Sequence, residues 1–283
     1  MNGPAGEPPP VPHRGAARDS GGPVDDPIRR LARLIRRSRH MVAFTGAGAS
    51  TESGLPDFRS SQGLWNRWPQ RMASLEFMEQ HFDEFTEFYR ARIAALADVE
   101  PNRVHRVLAA WEAAGLLKAV ITQNVDGLHQ RAGSRRVLAL HGDLQTCRCH
   151  RCGRVYPSET FVVDPHCLCG GRLRPNVVLF GEFLPAGTWA EAEAEAARCD
   201  LMLVVGSSLE VYPAAALPEM VARRSALDGA ALVIINRDPT PLDHLAALVI
   251  RETAGEVLVA VDRELARPAA DSPGGPPQSL PEG

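Results

Sequence analysis

No apolar run in this chain approaches the roughly 20 residues needed to cross a bilayer, and the first residues hold no charged start followed by an apolar stretch. A membrane span and a secretory leader are therefore not expected, and the protein reads as cytoplasmic. An excess of either charge is also missing. The formal net charge is −3 over 283 residues, which gives no bulk attraction to nucleic acid or anionic lipid. Nor are the cysteines spread as a disulfide framework would need: there are 6, and all but Cys199 lie between Cys147 and Cys169. That clustering suits a metal in a reducing compartment. What remains is a chain that is 45% hydrophobic and long enough to bury a full-sized core, so a soluble globular enzyme is the expectation.

Residues 1–24 and about 267–283 are dominated by Pro, Gly, Ala and Ser, so both are expected to be disordered tails around a working domain at 25–266. Asp25-Asp26-Pro27 supplies a helix start, after which Ile28, Leu31, Leu34 and Ile35 share one face while arginines fill the other, solvated one. Short runs rich in Val, Ile and Leu recur at Met41–Thr45, Ala119–Thr122, Val137–Leu140, Leu201–Val205, Leu232–Ile235 and Ala247–Ile250. Helical segments separate them at Met72–Ala97, Val104–Ala114, Trp189–Cys199 and Ala214–Leu227. That alternation predicts parallel strands covered on both faces, a doubly wound α/β fold. The stretch from His141 to Gly181 lacks the alternation, holds the cysteine cluster and reads as a small inserted module.

The first strand runs into Thr45-Gly46-Ala47-Gly48-Ala49-Ser50, where small residues let backbone amides approach a phosphate. The full dinucleotide fingerprint is absent, because Thr51 stands where its third glycine belongs. No clean second strand supplies an acidic residue for the adenosine ribose, which disfavours an ordinary dehydrogenase. More informative is Thr122-Gln123-Asn124-Val125-Asp126-Gly127-Leu128-His129, followed by Leu140-His141-Gly142. An amide pair, a carboxylate and a histidine lie just past two strands, where an α/β protein keeps its chemistry. His141, at a strand end before a glycine, is the candidate base; His129 reads as a buried or capping histidine.

Cys149 and Cys152 form a C-x2-C pair able to grip tetrahedral zinc, and Cys167 and Cys169 supply a second pair after a suitable span. Four soft ligands with no open position imply a structural site. The second pair is irregular, so Cys167 is taken as the fourth ligand, with His166 as the alternative and Cys147 as a spare thiol. The module's positive residues are few and scattered, so it reads as scaffold and not as a nucleic-acid reader.

Five blocks carry a resemblance. They are Gly46 to Arg59, Thr122 to His129, Leu140-His141-Gly142, Arg174 to Glu182 (RPNVVLFGE) and Val205 to Pro213 (VGSSLEVYP). In this order they resemble the signature blocks of the sirtuins, of bacterial type, over about residues 28–262. The resemblance implies a Rossmann-like large domain with an inserted zinc-binding domain, at about 142–181, and NAD-dependent removal of an acyl group from protein lysine. Its co-substrate would be NAD, its structural metal Zn2+ and its partner an acylated lysine in a protein, with no nucleic acid, no membrane and a monomeric state.

By the same resemblance Gly46, Ala47 and Gly48 would cradle the pyrophosphate, and Asp57, Phe58 and Arg59 would belong to a loop over the nicotinamide riboside. Gln123, Asn124 and Asp126 would surround the nicotinamide and its ribose. Gly206, Ser207 and Ser208 would meet the adenosine side, with Asn236 and Ala254 near the adenine. Val178, Leu179 and Phe180 would pair with the substrate backbone. His141 would draw a proton from a ribose hydroxyl after the acyl oxygen captures the anomeric carbon, and Asn124 would place a water or a ribose hydroxyl. The products would be nicotinamide, free lysine and O-acyl-ADP-ribose.

Tyr89 and Arg92 stand at i and i+3 on one helix face and match the Tyr-x-x-Arg pair of the sirtuin branch that removes succinyl and malonyl groups. Acetyl and succinyl or malonyl both stay open at this point. So do two other functions on the same fold: mono-ADP-ribosyl transfer to protein, and a non-catalytic regulator that binds NAD or nucleic acid.

Overall fold

The computed structural model describes residues 26–60 and 63–267. The tails expected to be disordered lie outside the described residues, apart from Arg267. The first helix, α1 (Pro27–Arg37), begins where the Asp26 carboxylate accepts the Ile28 N–H at 3.0 Å, with Pro27 in a position that needs no donor. Leu31, Ala32 and Ile35 are buried on one side. The arginine face is busier than a solvated one: Arg30 donates to the Ala247 carbonyl (2.7 Å), and Arg36 to the carbonyls of Glu264 (2.7 Å) and Arg267 (2.8 Å).

The chain continues through β1 (Met41–Thr45), α2 (Leu75–Gln80), α3 (Phe82–Ala94), α4 (Arg103–Ala113), β2 (Leu117–Thr122), α5 (Leu128–Arg131) and β3 (Val137–Ala139). Then come β4 (Gly142–Cys149), β5 (Val155–Pro157), α6 (Ser158–Val163) and β6 (Leu173–Val177). The last part is α7 (Ala186–Arg198), β7 (Leu201–Val205), α8 (Ala216–Asp228), β8 (Ala231–Ile235), β9 (Leu248–Ile250) and α9 (Ala254–Leu265).

Six strands form one parallel sheet in the order β3-β2-β1-β7-β8-β9. Both faces are covered, and the pleat divides each strand between two cores. Met41, Ala43, Leu201, Leu203 and Val205 pack with Trp111 and Leu258 on one face, while Val42, Phe44, Met202 and Val204 pack with Leu217 and Val221 on the other. This is why the strands are continuous apolar runs.

A second sheet is antiparallel, in the order β5-β4-β6. Its Leu144, Leu173 and Val177, with Phe161 of α6, share a core with Phe77, Phe85, Phe88 and Tyr89, so two separate stretches of chain build the small lobe. Only Leu140 and His141 join β3 of the large sheet to β4 of the small one.

One expected helix differs. Met72–Ala97 is broken, because Ser74 turns to accept the Phe77 N–H (3.1 Å) as the cap of α2. The backbone on either side pairs with Phe180, whose N–H donates to Ala73 (2.9 Å) and whose carbonyl accepts from Leu75 (3.0 Å). Residues bonded across to another segment cannot also close helical turns, and His81 then separates α2 from α3. The other expected strands and helices differ only at their ends.

Candidate active site

Connections run outward from β1 through β2 to β3 on one side and from β7 through β8 to β9 on the other, so the topology reverses between β1 and β7. A crevice opens beyond the carboxyl ends of strands at such a reversal. The turns after β1 and β7 touch there. Gly46 N–H donates to Val205 O at 3.2 Å and Gly48 N–H to Gly206 O at 2.9 Å. A Cβ on Gly48 would stand 2.8 Å from the Gly206 Cα, and one on Gly206 would lie 2.3 Å from the Ala49 nitrogen. These two glycines are thus required by the packing of one turn on the other, whatever they do for a ligand.

Gln123 to Asp126 leave the end of β2 beside these turns. The Gln123 carbonyl lies 3.0 Å from His141 Nδ1. A carbonyl only accepts, so Nδ1 carries the hydrogen and Nε2 keeps its lone pair. Burial pushes the His141 pKa below its ordinary value, against the opposing effect of the Gln123 hydrogen bond. A neutral imidazole with one free basic nitrogen is the form a general base requires.

Asn124 and Asp126, both buried, are gripped from several sides. Asn124 Nδ2 donates to Gly46 O (3.1 Å) and to Ser50 Oγ (3.0 Å), which uses both amide hydrogens and leaves the side-chain oxygen for another partner. Ser50 Oγ donates to Asp126 Oδ2 at 2.7 Å, and the Leu128 N–H donates to Asp126 Oδ1 at 3.0 Å. Behind Ser50 stands His105, whose Nδ1 accepts the Asn102 N–H (3.2 Å) and whose Nε2 lies 3.4 Å from Ser50 Oγ. Asn102 also caps α4 in a capping box, and its Nδ2 donates to Ala49 O at 2.9 Å. Ser50 and His105 were not singled out from sequence. The one trace of them was the Asn-x-x-His spacing at a helix start.

His129 is buried, with Nε2 2.9 Å from Thr45 Oγ1 and its ring edge-on to His105 at 4.7 Å. Burial, and then the neighbouring His105, push its pKa down to about 3. Burial likewise lowers His105 to about 4 despite the Asp126 charge.

The remaining expected residues have the following surroundings. Asp57 Oδ1 accepts the Ser60 N–H (2.9 Å), the Phe58 ring lies 5.1 Å from that of Trp65, and Arg59 pairs with Glu210 at 3.0 Å. Gln123 Nε2 donates to Ser207 Oγ at 2.9 Å, and Ser208 is half-buried beside it. Asn236 Nδ2 donates to Asp238 O (2.8 Å), and Ala254 opens α9. A cavity of about 620 Å³ lies between Thr51, Leu55, Pro56, Asp57, Arg237 and Asp238.

Val178, Leu179 and Phe180 differ from a free edge strand. Their N–H groups are bonded to His141 O (2.9 Å), to the Glu182 carboxylate (2.8 Å) and to Ala73 O (2.9 Å). Buried Arg174 holds this turn through a two-point pair with Glu182 (2.6 and 2.8 Å) and a bond to Val177 O (2.7 Å). Tyr89 is buried, and the Arg92 guanidinium lies 5.4 Å from its ring, 5.6 Å from that of Phe88 and 5.7 Å from that of Phe58. Among the described residues no carboxylate pairs with Arg92. Burial lowers its pKa, while Tyr89 opposes this by charge and hydrogen bonding.

The four thiols of Cys149, Cys152, Cys167 and Cys169 lie within 4.8 Å of one another, with Sγ–Sγ distances of 3.5 Å for Cys149–Cys169 and 3.8 Å for Cys152–Cys167. Zinc–sulfur bonds of about 2.3 Å in a tetrahedron put sulfurs about 3.8 Å apart, so the set fits zinc. Four thiolates close the coordination sphere, which suits a structural role. His166 is turned away to Asp164 (2.9 Å), and Cys147 is buried with its thiol 3.4 Å from Pro157 O.

A doubly wound parallel sheet with glycine turns at its reversal and an inserted four-cysteine module defines a Rossmann-like α/β protein with a zinc-type small lobe. Residues 46–213 match the model of the Sir2 family. A protein of Geobacillus kaustophilus named NAD-dependent protein deacetylase 1 is 52% identical over 82% of this chain and 96% of its own. One of Sulfolobus acidocaldarius named NAD-dependent protein deacetylase is 48% identical over 79% and 89%. Among solved structures, a Sir2–p53 peptide–NAD+ complex superposes with a TM-score of 0.78 at 40% identity, covering 84% of this chain and 98% of that one. Sir2Tm bound to a propionylated peptide gives 0.77 at 39%, over 84% and 98%. The chain belongs to the Sir2 family.

Proposed function

We propose that this protein is an NAD-dependent protein-lysine deacylase; the observation that carries the reading is the crevice where His141, Asn124 and Asp126 gather beside the turns after β1 and β7. When bound, NAD would supply an electrophilic anomeric carbon with nicotinamide as its leaving group, so that with one water the acyl group passes from lysine to ADP-ribose, giving nicotinamide, free lysine and O-acyl-ADP-ribose. The residues do the rest. His141 Nε2 takes a proton from a ribose hydroxyl, its ring held by Gln123 O and kept neutral by burial. Asn124 turns its free oxygen toward a water or ribose hydroxyl, and Asp126, steadied by Ser50, accepts from the nicotinamide amide.

Gly46, Ala47 and Gly48 face the pyrophosphate, with Asp57, Phe58 and Arg59 over the nicotinamide riboside. Gly206, Ser207 and Ser208 meet the adenosine, and Asn236 and Ala254 meet the adenine. The acylated peptide lies along Val178–Phe180, where the Val178 carbonyl is the backbone group left without a partner among the described residues. Cys149, Cys152, Cys167 and Cys169 hold zinc as a structural clamp. The catalytic domain is taken as 25–266 with its zinc module at about 142–181, and the protein as cytoplasmic and monomeric.

For the acyl group, Arg92 favours a carboxylate. A half-buried guanidinium ringed by Tyr89, Phe88 and Phe58, with Asp126 acting on it by charge but no carboxylate at ion-pair distance among the described residues, is set to receive one from a succinyl or malonyl chain, beside deacetylation.

Mass spectrometry of the full chain with NAD and matched acetyl-lysine and succinyl-lysine peptides tests the reading. Loss of the acyl group with appearance of the matching acyl-ADP-ribose is expected. Nicotinamide released while both peptides stay acylated would favour ADP-ribosyl transfer, and no turnover of NAD with either peptide would count against an enzyme.

A further inference from the structure

The turn after β1 is held by two other elements, and Glu52 is where they meet. From the first turn of α4, Asn102 reaches Ala49, His105 reaches Ser50, and Arg103 Nη2 lies 3.0 Å from Glu52 Oε2. The other Glu52 oxygen accepts the Gly255 N–H at 2.7 Å, in the first turn of α9. That helix has no side-chain cap of its own, since Thr253 makes no capping bond. Glu52 therefore supplies the missing acceptor from a segment distant in sequence, with its negative charge placed where the helix dipole favours it. The site is tailored to this contact: a Cβ on Gly255 would stand 2.4 Å from both Glu52 oxygens.

We infer that Glu52 is a positioning residue for the dinucleotide: by tying Ala47–Ser53 to the start of α9, it fixes the spacing between the turn that faces the pyrophosphate and Ala254 at the adenine. This rests on the cofactor reading given above. The body of α9 does not depend on the tie, because Val257, Leu258 and Val261 are in the core and Trp111 Nε1 donates to Asp262 at 2.8 Å. Loss of Glu52 therefore loosens the first turn of α9 and leaves the helix seated.

Calorimetric titration of the full chain with ADP-ribose, beside steady-state kinetics, decides the matter. Glu52→Ala is expected to raise the Kd for ADP-ribose and the KM for NAD together, on the order of tenfold, as for the loss of one charge-assisted hydrogen bond. The KM for peptide and kcat stay unchanged. Glu52→Gln keeps an acceptor and restores most of the affinity. Gly255→Ala, which leaves the charge but crowds the contact, weakens ADP-ribose in the same sense, and the double variant adds little to either single one.

Unchanged ADP-ribose affinity in both single variants overturns the inference, as does a fall in kcat with the KM for NAD untouched. If Glu52→Ala does not fold, Gly255→Ala decides alone. Failure of the wild-type protein to bind ADP-ribose would instead overturn the cofactor reading, and this inference with it.

Discussion

The Ser50 hydroxyl donates to the Asp126 carboxylate across 2.7 Å, and through that bond a strand-end turn and the segment after β2 are locked together. Ser50 also accepts from Asn124 and lies next to His105, so one hydroxyl satisfies three buried partners. Ser50→Ala leaves them all short of a partner. A stability loss of about 1–3 kcal/mol is expected, with turnover reduced more than the melting temperature alone would explain. Combined with His105→Gln, the loss should fall well below the sum of the two, because both act on one chain of bonds. Urea unfolding and nicotinamide release on the four proteins measure this; simple additivity would mean that the chain does not work as a unit.

His141 is the next test, because its geometry separates chemistry from binding. Replacing it with Gln keeps a polar side chain but removes the base, so kcat should fall by about 10²–10⁴-fold. ADP-ribose affinity should hold. Burial depresses the His141 pKa, so the base is already free at neutral pH and activity should fall only on the acid side, below the ordinary histidine range. A pH–rate profile with its acid limb above about pH 7 would contradict that placement.

The pair formed by His105 and His129 makes the fold itself sensitive to acid. Both are neutral when folded, with pKa values pushed down to about 4 and about 3, and both return to about 6.5 when the chain unfolds. Between those limits the unfolded chain binds protons that the native one refuses, so stability declines as the pH drops and levels off only about one pH unit above 6.5. From about pH 6.5 to 5.5 the two together should cost about 2 kcal/mol. His129→Gln should remove roughly half of that dependence. Denaturant unfolding at the two pH values in both proteins gives the comparison, and equal slopes would show that the lost stability comes from other groups.

How much of this was legible follows from the range of each interaction. The strands were, because Met41–Thr45 and Leu201–Val205 are buried on both faces and therefore apolar at every position but Thr45. His141 was legible as the histidine at a strand end before a glycine, and the cysteine cluster by its spacing, with the fourth ligand open between Cys167 and His166. Ser50 and His105 were not, because a serine in a turn and a histidine in a helix acquire meaning only when folding brings them together. The break at Ser74 was hidden for the same reason, since it depends on Phe180. Tertiary partners overruled a good local helix pattern there.

Arg92 offers a clean separation of acyl classes. Arg92→Met preserves length and apolar packing against Phe58, Phe88 and Tyr89 while deleting the charge. Desuccinylation should drop by about 10- to 100-fold, the worth of charge-assisted hydrogen bonds to a carboxylate, and deacetylation should be spared. Matched acetyl and succinyl peptides compared by kcat/KM read the ratio. Equal loss of both activities, or of neither, sinks the assignment.

The metal module makes a prediction about which side chains are indispensable. The irregular Cys-x-Cys spacing works because the chain doubles back between the two residues: Cys167 N–H donates to Gly171 O and Gly170 N–H to Cys167 O, both at 2.8 Å. That turn brings the Cys167 thiol to 3.8 Å from Cys152, where the Tyr156 hydroxyl also meets it at 3.1 Å, while neighbouring His166 is directed to Asp164. Elemental analysis should therefore find one zinc per chain in the wild type and in His166→Ala, and much less in Cys167→Ser. Because the sphere is closed by four sulfurs, zinc removal should act through the fold. A chelator should release the metal and unfold the small lobe, whose core includes Cys149, Phe161 and Leu173. Activity should then be lost in step with that unfolding. Full zinc content in Cys167→Ser, or its loss in His166→Ala, would reassign the fourth ligand.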